Sequence, residues 1–388
     1  MTQALHIVHE TYGLRVRLLL KYRKLTVVFI YPIMKPAILV TGGAGYVGSH
    51  TVASLLERQD ATDFDIVVVD NLSNAYRTEG RKKPECLRII EEMTDKTIHF
   101  YEVDIRDATG LSRVFENHNI DCVIHFAALK AVGESVQKPL EYYQANITGT
   151  CTLFEIMRKF GVYKLVYSSS CTVYGEPEKL PLNENHPTGQ GLTSPYGKSK
   201  YFCEEIMKDI CRSDKKWMVI SLRYFNPVGA HHSGRIGEDP SGIPNNLMPF
   251  IAQVAVGRLK ELLVFGNDYP TADGTGVRDY IHVEDLAEGH VKAIKLFHQP
   301  GFSGFHAVNL GTGTGYSVLQ MVKAFEVACG RQIPYKIIGR REGDIAANYA
   351  DVSLSHRLLG WRAIKTLEDM CADTWRWQSN NPDGFKCS

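Results

Sequence analysis

What this chain lacks excludes several classes of function at once. Its 44 basic and 43 acidic residues leave a formal net charge of only +1, so no electrostatic footprint for nucleic acid or an anionic membrane is present, and an anionic ligand must be held by a local cluster. The apolar run Leu25–Tyr31 is too short to span a bilayer and stops at Pro32. The nine cysteines are odd in number and scattered, with no C-x-x-C pair and no Cys/His spacing. That excludes a disulfide framework or zinc site and predicts reduced thiols in the cytosol. His231 and His232 are adjacent rather than at ligand spacing, so they are expected in a loop with no metal. Internal repeats and low-complexity segments are also missing.

What is there suits a soluble enzyme. Of the 388 residues, 44% are hydrophobic and 22% charged, enough for one large α/β core and a smaller second unit. Residues 1–36 stand apart: six Lys and Arg residues against one acid, Glu10. This leader is poor in serine and has no small-residue cleavage site, so a disordered or dispensable extension is expected rather than a targeting peptide.

From Pro36 onward short β-branched runs alternate with helical stretches, the pattern of crossover units on a doubly wound parallel sheet. Strands are predicted at 37–41, 66–70, 98–102, 122–126, 164–168 and 217–224. The Gly/Pro-rich stretch from Asn226 to Pro244 marks passage from a Rossmann-type domain (37–225) to a second, smaller α+β region (226–388), some segments of which return to the core.

Gly42, Gly45 and Gly48 lie between the first strand and a helix predicted over 49–58. Missing side chains let backbone approach a pyrophosphate, and the helix N-terminus offers partly positive N–H groups. Asp70 ends the next strand, where a ribose diol needs an acceptor; a carboxylate there repels a 2′-phosphate and favours NAD over NADP. Asp104, ending the third strand, is either a further cofactor contact or a solvated acid.

Tyr196 and Lys200 are four residues apart at a helix start, with Ser194 as N-cap and Pro195 at the first position, so they share one face. A nearby ammonium is expected to lower the phenol's pKa and make a general acid/base. Ser170 follows the 164–168 strand at the sheet's carboxyl edge, within reach of a reacting hydroxyl.

The glycines with Ser170, Tyr196 and Lys200 resemble the extended short-chain dehydrogenase/reductase superfamily. Within it, the segments 42–50, 131–136, 222–226, 244–249, 274–282 and 340–344 are similar to the UDP-glucose 4-epimerase family, from about residue 37 to the C-terminus. The resemblance implies C4 epimerisation of a UDP-sugar through a 4-keto intermediate by a homodimer: Tyr196 moves the proton, Ser170 orients the oxygen and Lys200 supports the phenolate. It maps NAD contacts to Gly45, Tyr46, Val47, Asp70, Asn71, Leu72, Ser73, Asn74, Asp104, Ile105, Phe126, Lys130, Lys200 and Tyr224. It maps the UDP-sugar site to Ser170, Cys171, Thr172, Tyr224, Phe225, Asn226, Asn245, Asn246, Leu247, Leu263, Val264, Phe265, Arg278, Arg341, Glu342, Gly343 and Asp344. Arg278 and Arg341 suit a diphosphate anchor, because guanidinium groups bind phosphate through paired donors. Leu263 departs from a polar residue often found there.

Relatives that dehydrate or decarboxylate nucleotide sugars carry an acidic pair where this chain has Cys171-Thr172, which favours epimerisation. Asn348 stands where the family has either a bulky tyrosine or a smaller residue, so N-acetylated UDP-sugars are expected as further substrates. The alternatives are another UDP-sugar epimerase or decarboxylase, or a non-catalytic NAD-binding regulator; the intact Ser170, Tyr196 and Lys200 speak against the last.

Overall fold

The β-branched runs assemble into one seven-stranded parallel sheet because both of its faces are covered. Across the sheet the order is Gly304–Leu310, Met218–Tyr224, Lys164–Ser170, Asn119–His125, Pro36–Thr41, Asp65–Asp70 and Ile98–Glu102. All neighbours run parallel. Ile66, Val67, Val68 and Val69 are each 0% exposed. Ile66 and Val68 enter one apolar core and Val67 and Val69 the other, as the alternation of a strand buried on both faces requires. This computed structural model describes residues 10–11, 14–19, 27–32, 34–58, 63–341 and 343–387.

Pro36–Thr41 has Asp65–Asp70 on one side and Asn119–His125 on the other. The chain first builds outward to Ile98–Glu102, then crosses back, which leaves a crevice at the carboxyl ends where the order reverses. A third apolar core unites the Leu247–Ala255, Val318–Cys329 and Leu367–Asn380 helices. Beside them, Val277–His282 pairs with Asn226–Val228, Gly315–Ser317 and Ala347–Asn348, while Leu262–Phe265 pairs with Tyr335–Ile338.

Before the main sheet, Glu10–Thr11, Leu14–Leu19 and Val27–Pro32 form a separate antiparallel sheet. The alternating Leu14-Arg-Val-Arg-Leu18 and the β-branched Val27-Val28 suit strands; residues 1–9, 12–13, 20–26 and 33 of the extension lie outside the described residues. No helix among the described residues is long and apolar enough to cross a membrane, and eight cysteines, Cys387 not being among them, are free thiols.

Candidate active site

The glycine turn is shaped by close backbone approach. Gly42 has φ +68°, and a Cβ there would lie 2.6 Å from the Ala127 nitrogen. A Cβ on Gly48 would meet the Gly42 carbonyl oxygen at 2.3 Å. Gly45 caps the helix, which spans Tyr46–Leu56 and so begins three residues before the predicted Ser49; the Gly45 N–H closes the turn onto the Gly42 carbonyl at 3.2 Å. The unpaired N–H groups of the first turn lie at the edge of the crevice. A cradle that admits no side chain, ending on a helix N-terminus, fits a dinucleotide pyrophosphate.

Asp70 accepts from the Ala44 N–H at 3.0 Å and the Leu72 N–H at 2.9 Å, so it ties the glycine turn to the next loop. Burial raises its pKa against these two bonds. Leu72 takes the left-handed conformation at φ 59°. Asn71 receives the Ser73 N–H and donates to Asp104, while Asn74 receives the Ser241 N–H at 3.4 Å. Asp104 is partly exposed and paired: Arg106 grips both its oxygens at 2.8 Å and, first among the causes, holds its carboxyl well below the usual range. Val47 packs against the apolar core; Ile105 is buried where a Cβ on Gly149 would meet it at 2.6 Å. The crevice is lined by Gly45, Tyr46, Asn74, Lys130, Glu238 and Pro240, with Lys130 paired to Glu238 at 3.0 Å.

Ser194 caps the Pro195–Ser213 helix by accepting the Gly197 N–H at 3.1 Å, with Pro195 at the first position, as read from the sequence. Lys200 is buried, donates to the Ser168 carbonyl at 2.6 Å, and lies 5.9 Å from the Tyr196 ring centre. The phenol's pKa does not follow the expectation. Although part of the ring reaches the surface, burial pushes the pKa up to about 12, with the Ser170 hydrogen bond lowering it and Cys171 raising it. The neighbouring cation does not offset this: burial penalises Lys200 too, pushing it down to about 8, and its ammonium donates to a backbone carbonyl rather than to the phenol. Ser170 and Tyr224 are paired in register. Tyr224 hydrogen-bonds the His290 Nε2, and His290 Nδ1 donates to the Leu286 carbonyl at 2.8 Å. A neutral His290, its pKa lowered to about 4 by burial, therefore accepts the Tyr224 proton. Phe126 packs on the same imidazole at 4.8 Å. His290 had no signal in the sequence beyond a helical histidine.

The proposed phosphate arginines converge on one acid: Asp344 accepts from Arg341 at 2.9 and 3.2 Å and lies 3.8 Å from Arg278. The Arg341 guanidinium covers the Phe265 ring at 5.5 Å. Leu262–Phe265 alternates, so Leu263 and Phe265 are exposed while Val264 is buried in the third core. The Val264 side chain thus points into the core, away from the exposed face that carries Leu263 and Phe265. Phe225 is likewise buried, with Cys171 and Ala350. Asn226 pairs with Tyr280, Asn245 and Asn246 are exposed ahead of the Leu247–Ala255 helix, and Gly343 takes φ +80°. Glu342 lies outside the described residues.

Arg278 and Asn348 are strand partners, and the Asn348 amide donates to the Cys171 sulfur at 3.6 Å. Asn348 Oδ1 and Thr172 Oγ1 are buried polar atoms without a hydrogen-bond partner. Leaving such atoms unmatched costs about 1–3 kcal/mol each, which a polar ligand would recover. His231 and His232 sit in a loop, His231 against Glu57 at 2.9 Å and His232 against Glu284 at 2.7 Å. Lys365, 2.9 Å from the other Glu284 oxygen, already neutralises that carboxylate.

Residues 38–311 match the NAD dependent epimerase/dehydratase family. A UDP-glucose 4-epimerase of Drosophila melanogaster is 60% identical over 350 residues, 90% of this chain and 98% of that protein. The Homo sapiens UDP-glucose 4-epimerase is 58% identical over 352 residues, covering 91% and 99%. A crystal structure of UDP-glucose 4-epimerase from Bifidobacterium longum in complex with NAD+ and UDP superposes with a TM-score of 0.84 at 52% identity, over 90% of this chain and all of that one. Similarity of this extent, on a sheet that brings its glycine turn and its helix-borne tyrosine to one edge, makes the chain a member of the NAD dependent epimerase/dehydratase family.

Proposed function

We propose that this enzyme interconverts UDP-glucose and UDP-galactose by reversible epimerisation at C4, with NAD as resident cofactor, as a step of galactose metabolism. The observation that carries this reading is the meeting of Ser170, Tyr196 and Lys200 at the carboxyl edge of the sheet whose next crevice is the glycine cradle. Bound NAD+ supplies a hydride acceptor that is restored when hydride returns, together with one positive charge. Tyr196 Oη, ionised to the phenolate, takes the proton of the sugar 4-hydroxyl as the C4 hydride leaves, giving a 4-keto sugar and the neutral phenol. Ser170 lies close enough to the phenol to lower its pKa and orients the reacting oxygen. Lys200, fixed on the Ser168 carbonyl, supplies positive charge that stabilises the phenolate before it takes the proton and again when the proton returns to the sugar. Arg278 and Arg341 exchange their shared Asp344 for the diphosphate, so the sugar can turn its other face toward the returning hydride while its anchor stays in place.

Purified protein incubated with UDP-galactose and no added NAD is expected to form UDP-glucose, read by chromatographic separation of the sugar nucleotides. Product formed only after NAD addition would sink the claim of a resident cofactor. No product under either condition would sink the epimerase reading.

A finer substrate range follows from Asn348. It is buried beside Cys171 with its Oδ1 unpaired, and a tyrosine there would fill space that an N-acetyl group needs. UDP-GlcNAc and UDP-GalNAc are therefore further substrates. Asn348→Tyr is expected to abolish turnover of UDP-GalNAc while keeping most turnover of UDP-galactose; a wild type inert toward UDP-GalNAc after long incubation contradicts this.

The enzyme works as a homodimer. Val132, Val136, Leu140 and Phe202 are 46, 62, 70 and 42% exposed on neighbouring short helices and the Tyr196 helix, a concentration of apolar surface that suits a subunit contact. Light scattering is expected to give twice the chain mass, and one chain mass for Leu140→Lys/Phe202→Lys. A cytoplasmic location suits the free thiols and is checked by cell fractionation.

A further inference from the structure

We propose that Glu204 is a positioning residue for the reaction: its carboxylate clamps the helix of Tyr196 and Lys200 to the strands of Ser170 and Tyr224, and sets the charge around Lys200. This rests on the reading of Ser170, Tyr196 and Lys200 as the reacting set. Glu204 is four residues beyond Lys200, on the same helix face, and is 0% exposed. One carboxylate oxygen accepts from Ser169 Oγ at 2.7 Å, Ser221 Oγ at 2.9 Å and Arg223 Nε at 3.0 Å; the other accepts from Arg223 Nη2 at 2.6 Å. Ser169 immediately precedes Ser170, and Arg223 immediately precedes Tyr224. The clamp continues from Arg223 Nη1 to Tyr174 Oη at 3.0 Å and from Tyr174 to Asn309 at 2.6 Å, on the edge strand.

A buried ion pair is a poor device for stability, since an apolar pair of similar volume is often as good. Its position next to each reacting residue points instead to geometry and charge. Around Lys200 stand Tyr196, Cys203 and Glu204 from its own helix, Tyr167 with its ring at 4.9 Å and the Ser168 carbonyl from one strand, and His125 from the next. Burial holds His125 neutral, its pKa lowered to about 3, and raises that of Cys203. Glu204 is the carboxylate of this group. Burial would raise its own pKa, but the Arg223 bonds outweigh that and keep it ionised. Burial lowers the Lys200 pKa to about 8, with Cys203 and Glu204 opposing. Removing the Glu204 charge lowers it further, so the cation is lost at lower pH.

The test is the pH profile of kcat for UDP-galactose with NAD-loaded enzyme. The wild type is expected to lose rate as pH rises through about 8. Glu204→Gln should move that alkaline limb down by about one unit, the size of an ordinary charge effect at close range, whereas Glu204→Asp, which keeps the charge, should leave the limb in place even if the rate falls. If Glu204→Gln does not fold because Arg223 is left unpaired, Glu204→Gln/Arg223→Met removes both charges and should fold with the limb moved down by a smaller amount, because the Arg223 cation that opposed the carboxylate is lost with it. A folded variant without the carboxylate that keeps the wild-type limb, failure of both variants to fold, or a wild type with no alkaline limb overturns the proposal. Tyr196→Phe and Lys200→Met run alongside: if both lose activity while the Glu204 variants are unchanged, only the positioning role falls, and if both stay active the reading of the site falls with it.

Discussion

Tyr196→Phe purifies folded and with NAD bound, yet epimerises UDP-galactose about 10²–10⁴-fold more slowly than the parent, the range a positioned acid/base contributes. The substitution removes one hydroxyl and nothing that holds the helix. Ser194 caps the helix through the Gly197 N–H, and Tyr196 contributes its backbone carbonyl to Ser199 at 2.8 Å; both survive in phenylalanine. The cofactor cradle is built from other elements, so bound NAD, measured after denaturation by chromatography, stays at the parent's level. An unchanged initial rate would remove Tyr196 as the proton carrier. Loss of NAD together with rate would mean the phenol has a structural task not seen in its contacts.

Gly48→Ala loses NAD retention and epimerisation together, by about 10²-fold or more, because the Cβ cannot be accommodated without displacing the reacting geometry. Its Cβ would stand 2.3 Å from the Gly42 carbonyl oxygen and 2.8 Å from the Gly43 Cα, both backbone atoms in a turn that is itself pressed onto Ala127. Gly45→Ala offers the internal comparison. There the Cβ meets the Gly42 oxygen at 3.3 Å, a contact that a shift of a few tenths of an ångström relieves, so its NAD content should fall much less. Bound NAD per chain and the melting temperature measured on both variants check the order; equal retention by both would show that the turn does not form the cradle.

Several features were legible because local chemistry settles them. Ser194, Pro195 and the four-residue spacing of Tyr196 and Lys200 define a capped helix start wherever it is placed, and a run such as Ile66–Val69 is apolar throughout because both of its sides are covered. The start of the first helix was less legible: the glycine turn closes on itself through Gly45, so the helix takes in Tyr46, Val47 and Gly48. The strand Gly304–Leu310 has no such signature. It is an edge strand whose first four residues are only half-buried, so it never reads as a continuous apolar run.

By itself the sequence determined the α/β rhythm, the glycine turn, the helix start and the residue types of the site. Tertiary structure alone decided how strongly those residues hold their protons and which of them are buried. Spacing suggested that Lys200 would lower the Tyr196 pKa, but burial acts on both groups and drives the phenol up and the ammonium down. The same holds for Val264, which alternation turns into the core, and for Glu204 and His290, whose partners are 17–35 and 66 residues away in the chain. Desolvation and long-range hydrogen bonding depend on what the fold places around a group, and no local pattern encodes that.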